Sequence, residues 1–247
     1  DISIQKSALQ SDMIRLDGIS VQQESIPEVS TPVNNYQAKD LEVNINPDNG
    51  AISSLKINRQ DIPLSETGNG FLIRDVVSGS GYYAFEDDQT PLSCKLNLTI
   101  TNEKNAIRLQ GTLEDTSEQP RAMNLMYALP VDVLGGQWGD HVSQSRTIAL
   151  PEDYHSWVQI GTGSNGQLSR YPYACVYNQD YGIALGIDME KPCQWRFGYS
   201  SGAEMLYLSM DVALHPETLN FPSKAEFQIV LYPIDPEWGF RSATERY

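Results

Sequence analysis

The chain has 247 residues, 40% hydrophobic and 20% charged, enough apolar content for a sizeable core and too much for a globally disordered chain. Asp and Glu number 32 against 17 Lys and Arg, a formal net charge of −15. That balance repels nucleic acid and anionic membrane surfaces, so neither is expected as a partner, and it disfavours strongly anionic polysaccharides while leaving neutral glycans compatible.

Residues 1–40 are polar and read as an irregular lead-in, with one edge strand at most, over Ile14, Leu16, Ile19 and Val21. From Leu41 the pattern becomes β. Leu41, Val43 and Ile45 alternate with polar residues, Asn46–Gly50 turns the chain, and Ile52, Leu55 and Ile57 follow. The Asn49-Gly50 pair supplies the positive φ angles that a tight hairpin turn requires. Phe71–Asp75 and Tyr82–Phe85 read as short strands. Leu96, Leu98 and Ile100 alternate cleanly, as do Ile107, Leu109, Gly111 and Leu113 after the turn at Asn102–Asn105. These two runs predict adjacent antiparallel strands with Leu98 and Leu109 inside. Leu125–Val133 is a continuous apolar run, the pattern of a strand covered on both faces. Ala174–Tyr177, Gly182–Ile187, Trp195–Tyr199, Met205–Leu214 and Ala225–Tyr232 complete about a dozen strands, spaced as in a sandwich or barrel. One helix is expected, at the end: Asp235 as N-cap, Pro236 at the first helical position and Glu237 beside the positive end of the helix dipole.

The three cysteines, Cys94, Cys175 and Cys193, leave at least one unpaired, and no C-x-x-C pair suggests zinc or redox chemistry. Cys175 stands in an apolar run and reads as a small buried hydrophobe. No apolar run approaches the length of a membrane-spanning helix. The acidic, Asn-, Gln- and Tyr-rich composition suits an exported protein, secreted or at the cell surface.

The run Leu41–Leu64, strand then D-N-G-A-I-S-S-L then strand then N-R-Q-D-I, resembles the opening hairpins of galactose-mutarotase-like β-supersandwich domains. The later runs G-D-H-V-S-Q-S-R-T-I and Y-P-Y-A-C-V-Y-N-Q-D-Y-G-I-A-L-G-I-D are similar to the middle of that sandwich in accessory domains of large secreted glycoside hydrolases. The ending D-P-E-W-G-F-R-S-A-T-E-R-Y resembles a linker helix that leads into a catalytic domain. The resemblance implies a large antiparallel two-sheet β-supersandwich over 41–234, a linker helix starting in 235–247, and a downstream catalytic domain as partner. Free mutarotases of this fold use a His acid and a Glu base. Glu190 and Glu204 stand late in the chain, but neither sits in a matching motif.

The most chemically dense stretch is Gln137–Tyr181. Rings beside hydrogen-bonding side chains suit a sugar, which offers apolar C–H faces and hydroxyls. Trp138, Trp157, Tyr171 and Tyr173 are the candidate stacking rings, and His141, Arg146, His155 and Glu190 the candidate polar contacts. The same rings equally suit a β-sheet core, and Arg146 equally suits an ion pair with Asp140. Tyr171 and Tyr173 are two apart and share one face of a strand, and core is favoured for one of the pair. Asp140, Glu152, Asp153 and Glu190 are the carboxylates from which a glycosidase pair would come. There is no G-x-S-x-G elbow or phosphate loop, the histidines lack close metal spacing, and no cofactor or metal is expected. The leading reading is a non-catalytic accessory domain of a secreted carbohydrate-active enzyme that binds glycan or braces the catalytic domain. The rivals are a sugar-active enzyme of the same fold (epimerase, lyase or glycoside hydrolase) and a purely structural interaction domain.

Overall fold

The computed structural model describes residues 33–159, 166–191, 193–219 and 222–247. The described strands are, in order, β1 (Asn34–Ala38), β2 (Leu41–Ile45), β3 (Ile52–Ile57), β4 (Gln60–Asp61), β5 (Gly70–Asp75), β6 (Tyr83–Ala84), β7 (Cys94–Asn102), β8 (Ile107–Asp115), β9 (Arg121–Leu129) and β10 (Gln137–His141). Then come β11 (Gln144–Thr147), β12 (Asp153–Tyr154), β13 (Trp157–Gln159), β14 (Gln167–Ser169), β15 (Tyr173–Tyr177), β16 (Gly182–Ile187), β17 (Gln194–Ser200), β18 (Met205–Leu214) and β19 (Lys224–Ile234). A short helix, α1 (Phe240–Arg246), follows. The chain is an all-β sandwich with a C-terminal helix, as its alternating runs require. β1 lies inside the stretch expected as a lead-in. The expected edge strand over 14–21 lies outside the described residues.

Two large sheets carry the sandwich. One has seven strands in the order β11-β10-β15-β16-β19-β8-β7, the other six in the order β12-β17-β18-β9-β5-β6. A four-stranded sheet, β1 to β4, adds Leu41, Val43, Ile45, Ile52, Leu55 and Ile57 to the same core. The hairpin β7–β8 forms as its alternation demands, with Leu96 opposite Leu113 and Ile100 opposite Leu109. Leu109 is fully buried; Leu98, on the edge strand opposite Gly111, is half-buried against the core. β9 is buried on both faces from Met123 to Leu129, which explains its unbroken apolar run. Leu125 and Tyr127 face the main core, whereas Met126 and Ala128 join Leu72, Met205 and Tyr207 on the opposite face.

The outer face of the seven-stranded sheet is covered by α1. Phe240 and Ala243 pack on Tyr173, Cys175, Ala184, Val230, Tyr232 and Ile234. The helix starts later than its N-terminal signals suggest. Asp235 does accept the Glu237 N–H at 3.0 Å, but the turn it caps closes with Gly239 N–H on Asp235 O at 2.9 Å. Gly239 then takes φ 49° and ψ −122°, which breaks the turn from the helix and puts the first helical residue at Phe240. An added Cβ at Gly239 would stand 2.5 Å from Tyr177 Cζ in a backbone region that favours glycine. Gly239→Ala is therefore expected to lower stability by about 1–3 kcal/mol. Gly202→Ala, where an added Cβ meets nothing within 4 Å, is the control, and equal urea midpoints for the two variants would refute the strain.

Candidate functional site

The stretch picked out by its rings and charges folds into a closed cluster. Trp138 on β10 stands opposite Arg146 on β11 and Val176 on β15, and is 1% exposed. Its indole N–H is shared between Asp140 Oδ1 at 3.1 Å and Ser156 Oγ at 3.3 Å. Arg146 grips the Asp140 carboxylate with both Nε, at 2.7 Å, and Nη2, at 2.8 Å, and Nη2 also reaches His155 O at 2.9 Å. Burial opposes ionisation of Asp140, but the hydrogen bonds from Arg146 and Ser156 outweigh it and hold its pKa below the ordinary value. Of the two readings of Arg146, the ion pair with Asp140 is the one seen.

The remaining rings also have fixed partners. His155 stacks on Trp157 at 4.0 Å and 15°, and the Trp157 indole donates to Phe197 O at 2.8 Å. Tyr173 is buried and Tyr171 half-buried; both lie against Phe240 of α1, at 5.3 and 4.9 Å between centroids, and the Tyr173 hydroxyl donates to Thr244 Oγ1. The void between Trp138, Asp140, Ser156, Tyr171, Tyr173 and Phe240 is about 10 Å³, room for one water at most. Trp138 and Tyr173 are thus packing rings rather than an open platform. His141 sits on the β10–β11 hairpin turn, bonded to Gln144 and Ser143. Glu190 lies elsewhere, on the turn after β16, where its N–H donates to Asp188 beside Arg108. The structure therefore joins Trp138, Arg146, His155 and Trp157, sets Tyr171 and Tyr173 next to them, and separates Glu190.

A second polar cluster escaped the sequence reading. On the face of the six-stranded sheet away from the main core, Arg74, Asn124, Asp211 and Gln194 stand in one row across β5, β9, β18 and β17, with Ser209 and Arg196 in the next. Asn124 Nδ2 donates to Ser209 Oγ and to Asp211 Oδ1, both at 2.8 Å, and Tyr82 Oη donates to Asn124 Oδ1 at 2.6 Å. Arg196 pairs with Asp211, and the Arg74 guanidinium lies 5.1 Å from the Tyr82 ring centre. Burial raises the Tyr82 phenol above its ordinary pKa, so it stays a neutral donor. A signal was present: polar residues at alternate positions inside apolar runs, Asn124 in β9 and Ser209 with Asp211 in β18. Chemically the cluster is a hydrogen-bond network, and no histidine belongs to it.

A wider opening of about 1350 Å³ touches Met123, Leu125 and Met210 as well as Arg74, Arg196 and Asp211. The first three point into the core and the last three lie on the opposite face of the same sheet, and residues of β7, β8 and β19 complete the lining. Among the described residues no group of three or more His, Cys, Asp or Glu could hold a metal. All three cysteines are free; burial pushes Cys193 up to about 12, which removes it as a thiolate nucleophile near neutral pH.

Trp238 is 56% exposed, with Leu134 and Val142 also exposed. Arg241 Nε donates to Val142 O at 2.8 Å, tying that hairpin to the helix.

No family model and no curated protein matches the sequence. Solved structures of similar fold include a TPR-domain containing protein from Parabacteroides distasonis (TM-score 0.49, 11% identity, 80% of this chain and 46% of that one). They also include the α-N-acetylgalactosaminidase NagBb from Bifidobacterium bifidum (0.44, 6%, 82% and 36%) and a putative aldose 1-epimerase from Escherichia coli K12 (0.40, 9%, 82% and 98%).

Proposed function

We propose that this chain is a non-catalytic accessory domain of a secreted carbohydrate-active enzyme, and that its main task is to brace the catalytic domain. One observation carries the reading: Trp238, a large ring left more than half exposed at the entrance of a helix whose other side is firmly packed. Tryptophan is enriched where proteins dock. Of the candidate acid–base residues, Asp140 is committed to Arg146, His155 stacks on Trp157, and Glu190 stands apart on the turn after β16. The acidic composition fits export, and the same balance leaves a neutral glycan compatible as a partner.

Trp238→Ala tests the bracing role. In this chain alone the change is expected to move stability by no more than about 0.5 kcal/mol, as for other exposed positions. In the protein encoded by the complete open reading frame, limited proteolysis is expected to cut beyond Tyr247 faster in the variant than in wild type. Equal cutting rates, or a reading frame with no carbohydrate-active neighbour, would refute the proposal.

A further inference from the structure

The sequence holds a strand-like run that the described sheets do not use, over Ile14, Leu16, Ile19 and Val21. The fold in turn leaves a stretch of strand edge open. β7 ends the seven-stranded sheet, and β8 is its one strand neighbour there. The outer edge of β7 is taken at both ends. Near its start, Leu96 N–H donates to Asp88 O at 2.8 Å and Cys94 O accepts Thr90 N–H at 3.2 Å. At its end, Asn102 Oδ1 accepts the N–H of Gln37 on β1 at 3.2 Å. Cys94 and Leu96 thus turn their backbone groups away from β8, and the unbroken register gives Leu98 and Ile100 the same direction. The N–H and C=O groups of Leu98 and Ile100 find no backbone partner among the described residues.

The side chains show the same gap. Leu98 and Ile100 stand on the core side of the sheet, yet both are half-buried where Leu96, Leu109 and Leu113 are fully buried. The other face of β7 carries Asn97, Thr99 and Thr101, and Lys95 is the strand's one charge. The strand has no proline, and its pairing with β8 no bulge. An edge with so little to blunt it is a template for pairing unless something covers it.

We propose that the run Ile14–Val21 of this same chain adds a short strand to β7, between the segment at 88–90 and β1. The run is two apolar–polar–apolar triplets, Ile14-Arg15-Leu16 and Ile19-Ser20-Val21, split by Gly18. A triplet is about 10 Å long, the length of edge left open by two outward-facing residues. Its first and third residues pair directly with Leu98 and Ile100, so backbone groups and apolar side chains are covered together, while Arg15 or Ser20 faces solvent. The tether reaches: β1 begins at Asn34, Gln37 stands at the end of the gap, and the residues from Val21 to Asn34 extend up to about 40 Å. A tethered segment also meets the edge at a high effective concentration, which a second copy does not. The gap is closed at both ends by this chain's own backbone, which leaves the sheet of a second copy no continuous edge to lie along. The added strand and the bracing role are independent, since they involve opposite ends of the chain.

Amide hydrogen exchange of the full 247-residue chain, followed by NMR, tests the pairing. In wild type the Leu98 and Ile100 amides are expected to exchange slowly, and methyl groups of Ile14–Val21 are expected to show nuclear Overhauser contacts to those of Leu98 or Ile100. In the double variant Leu16→Asp, Ile19→Asp, which places a charge in each triplet, both amides are expected to exchange at least about tenfold faster. Unchanged protection of the Leu109 and Leu185 amides shows that the variant is folded; if it is not, the wild-type methyl contacts decide alone. Fast exchange of both amides in wild type, absence of the methyl contacts, or protection that the folded double variant retains would overturn the proposal. Protection that is lost on dilution, together with a dimer by light scattering, would overturn it in favour of a second copy. The proteolysis test above reads the junction beyond Tyr247 and is blind to these outcomes, so the two proposals fail separately.

Discussion

Replacing Arg121 with alanine is expected to lower the unfolding free energy by about 3–5 kcal/mol, the cost of removing one partner from a buried charge network. Arg121 opens β9 and its side chain is 12% exposed. Its guanidinium reaches Asp75 Oδ2 at 3.0 Å through Nη2, Asp115 Oδ1 at 3.2 Å through Nη1, and the carbonyl of Leu92. Asp115 has no side-chain exposure at all, so without Arg121 its carboxylate keeps, among the described residues, the Ser117 hydroxyl at 2.9 Å and the Ser117 N–H at 3.2 Å. One residue thus ties the end of β5, the end of β8 and the loop before β7 to the start of β9. Urea unfolding measures the loss, and a change below about 1 kcal/mol, the value of an exposed ion pair, would show the network to be solvated.

The same network gives a pH dependence. The Asp75 carboxylate is held below its ordinary pKa, first by the Ser78 N–H, against the opposing effect of burial, and then by Arg121. A depressed folded-state pKa contributes stability that is complete above the unfolded value and is lost as pH falls through the folded one. Stability is therefore expected to drop below about pH 4. In Arg121→Ala the drop is expected to be shallower, and parallel curves for wild type and variant would contradict that assignment.

Trp138→Ala is expected to be as damaging, at about 3–5 kcal/mol, the usual range for emptying a large aromatic site in a core. The ring is among the largest fully buried side chains, and its removal also takes a hydrogen bond from Asp140. A sugar-stacking tryptophan behaves in the opposite way, weakening a ligand while leaving the fold alone. Thermal unfolding of Trp138→Ala separates the two roles, and an unchanged melting temperature would restore Trp138 as a surface ring.

Much of the β architecture could be read because strand periodicity reports a face, and a face is set by burial. Leu96, Ile107 and Leu109 announce their hairpin in this way, and β9 announces its double burial by having no polar alternation after Asn124. Trp138 shows where that reasoning stops. Its neighbours Gly139 and Asp140 give no alternation, and the direction of its ring depends on β15 and on Ser156, which only the fold brings near. Gly139 itself is a packing residue, since a Cβ there would stand 2.7 Å from Cys175 Sγ. The helix starts later than its capping signals suggest because those at Asp235 are local, whereas the interruption at Gly239 lies against Tyr177 of another strand. The members of the Asn124 network come from distant parts of the chain, so no local pattern joins them.

The order of strands in the seven-stranded sheet has a consequence for synthesis. β19 lies between β16 and β8, pairing Leu185 with Leu231 on one side and Glu114 with Lys224 on the other. The sheet is therefore two separate ribbons, β11-β10-β15-β16 and β8-β7, until its last strand is inserted. β9 is in a similar position, since one of its edges pairs with β18 from Arg121–Leu214 to Leu129–Leu206. Contacts so distant along the chain are slow to close, because the intervening segment must be confined before they repay it. On the ribosome, the edges of β8 and β16 that β19 will fill stay unpaired until Lys224–Ile234 has emerged, and the open edge of β9 until Met205–Leu214 has, and during that interval each is exposed to pairing with another chain.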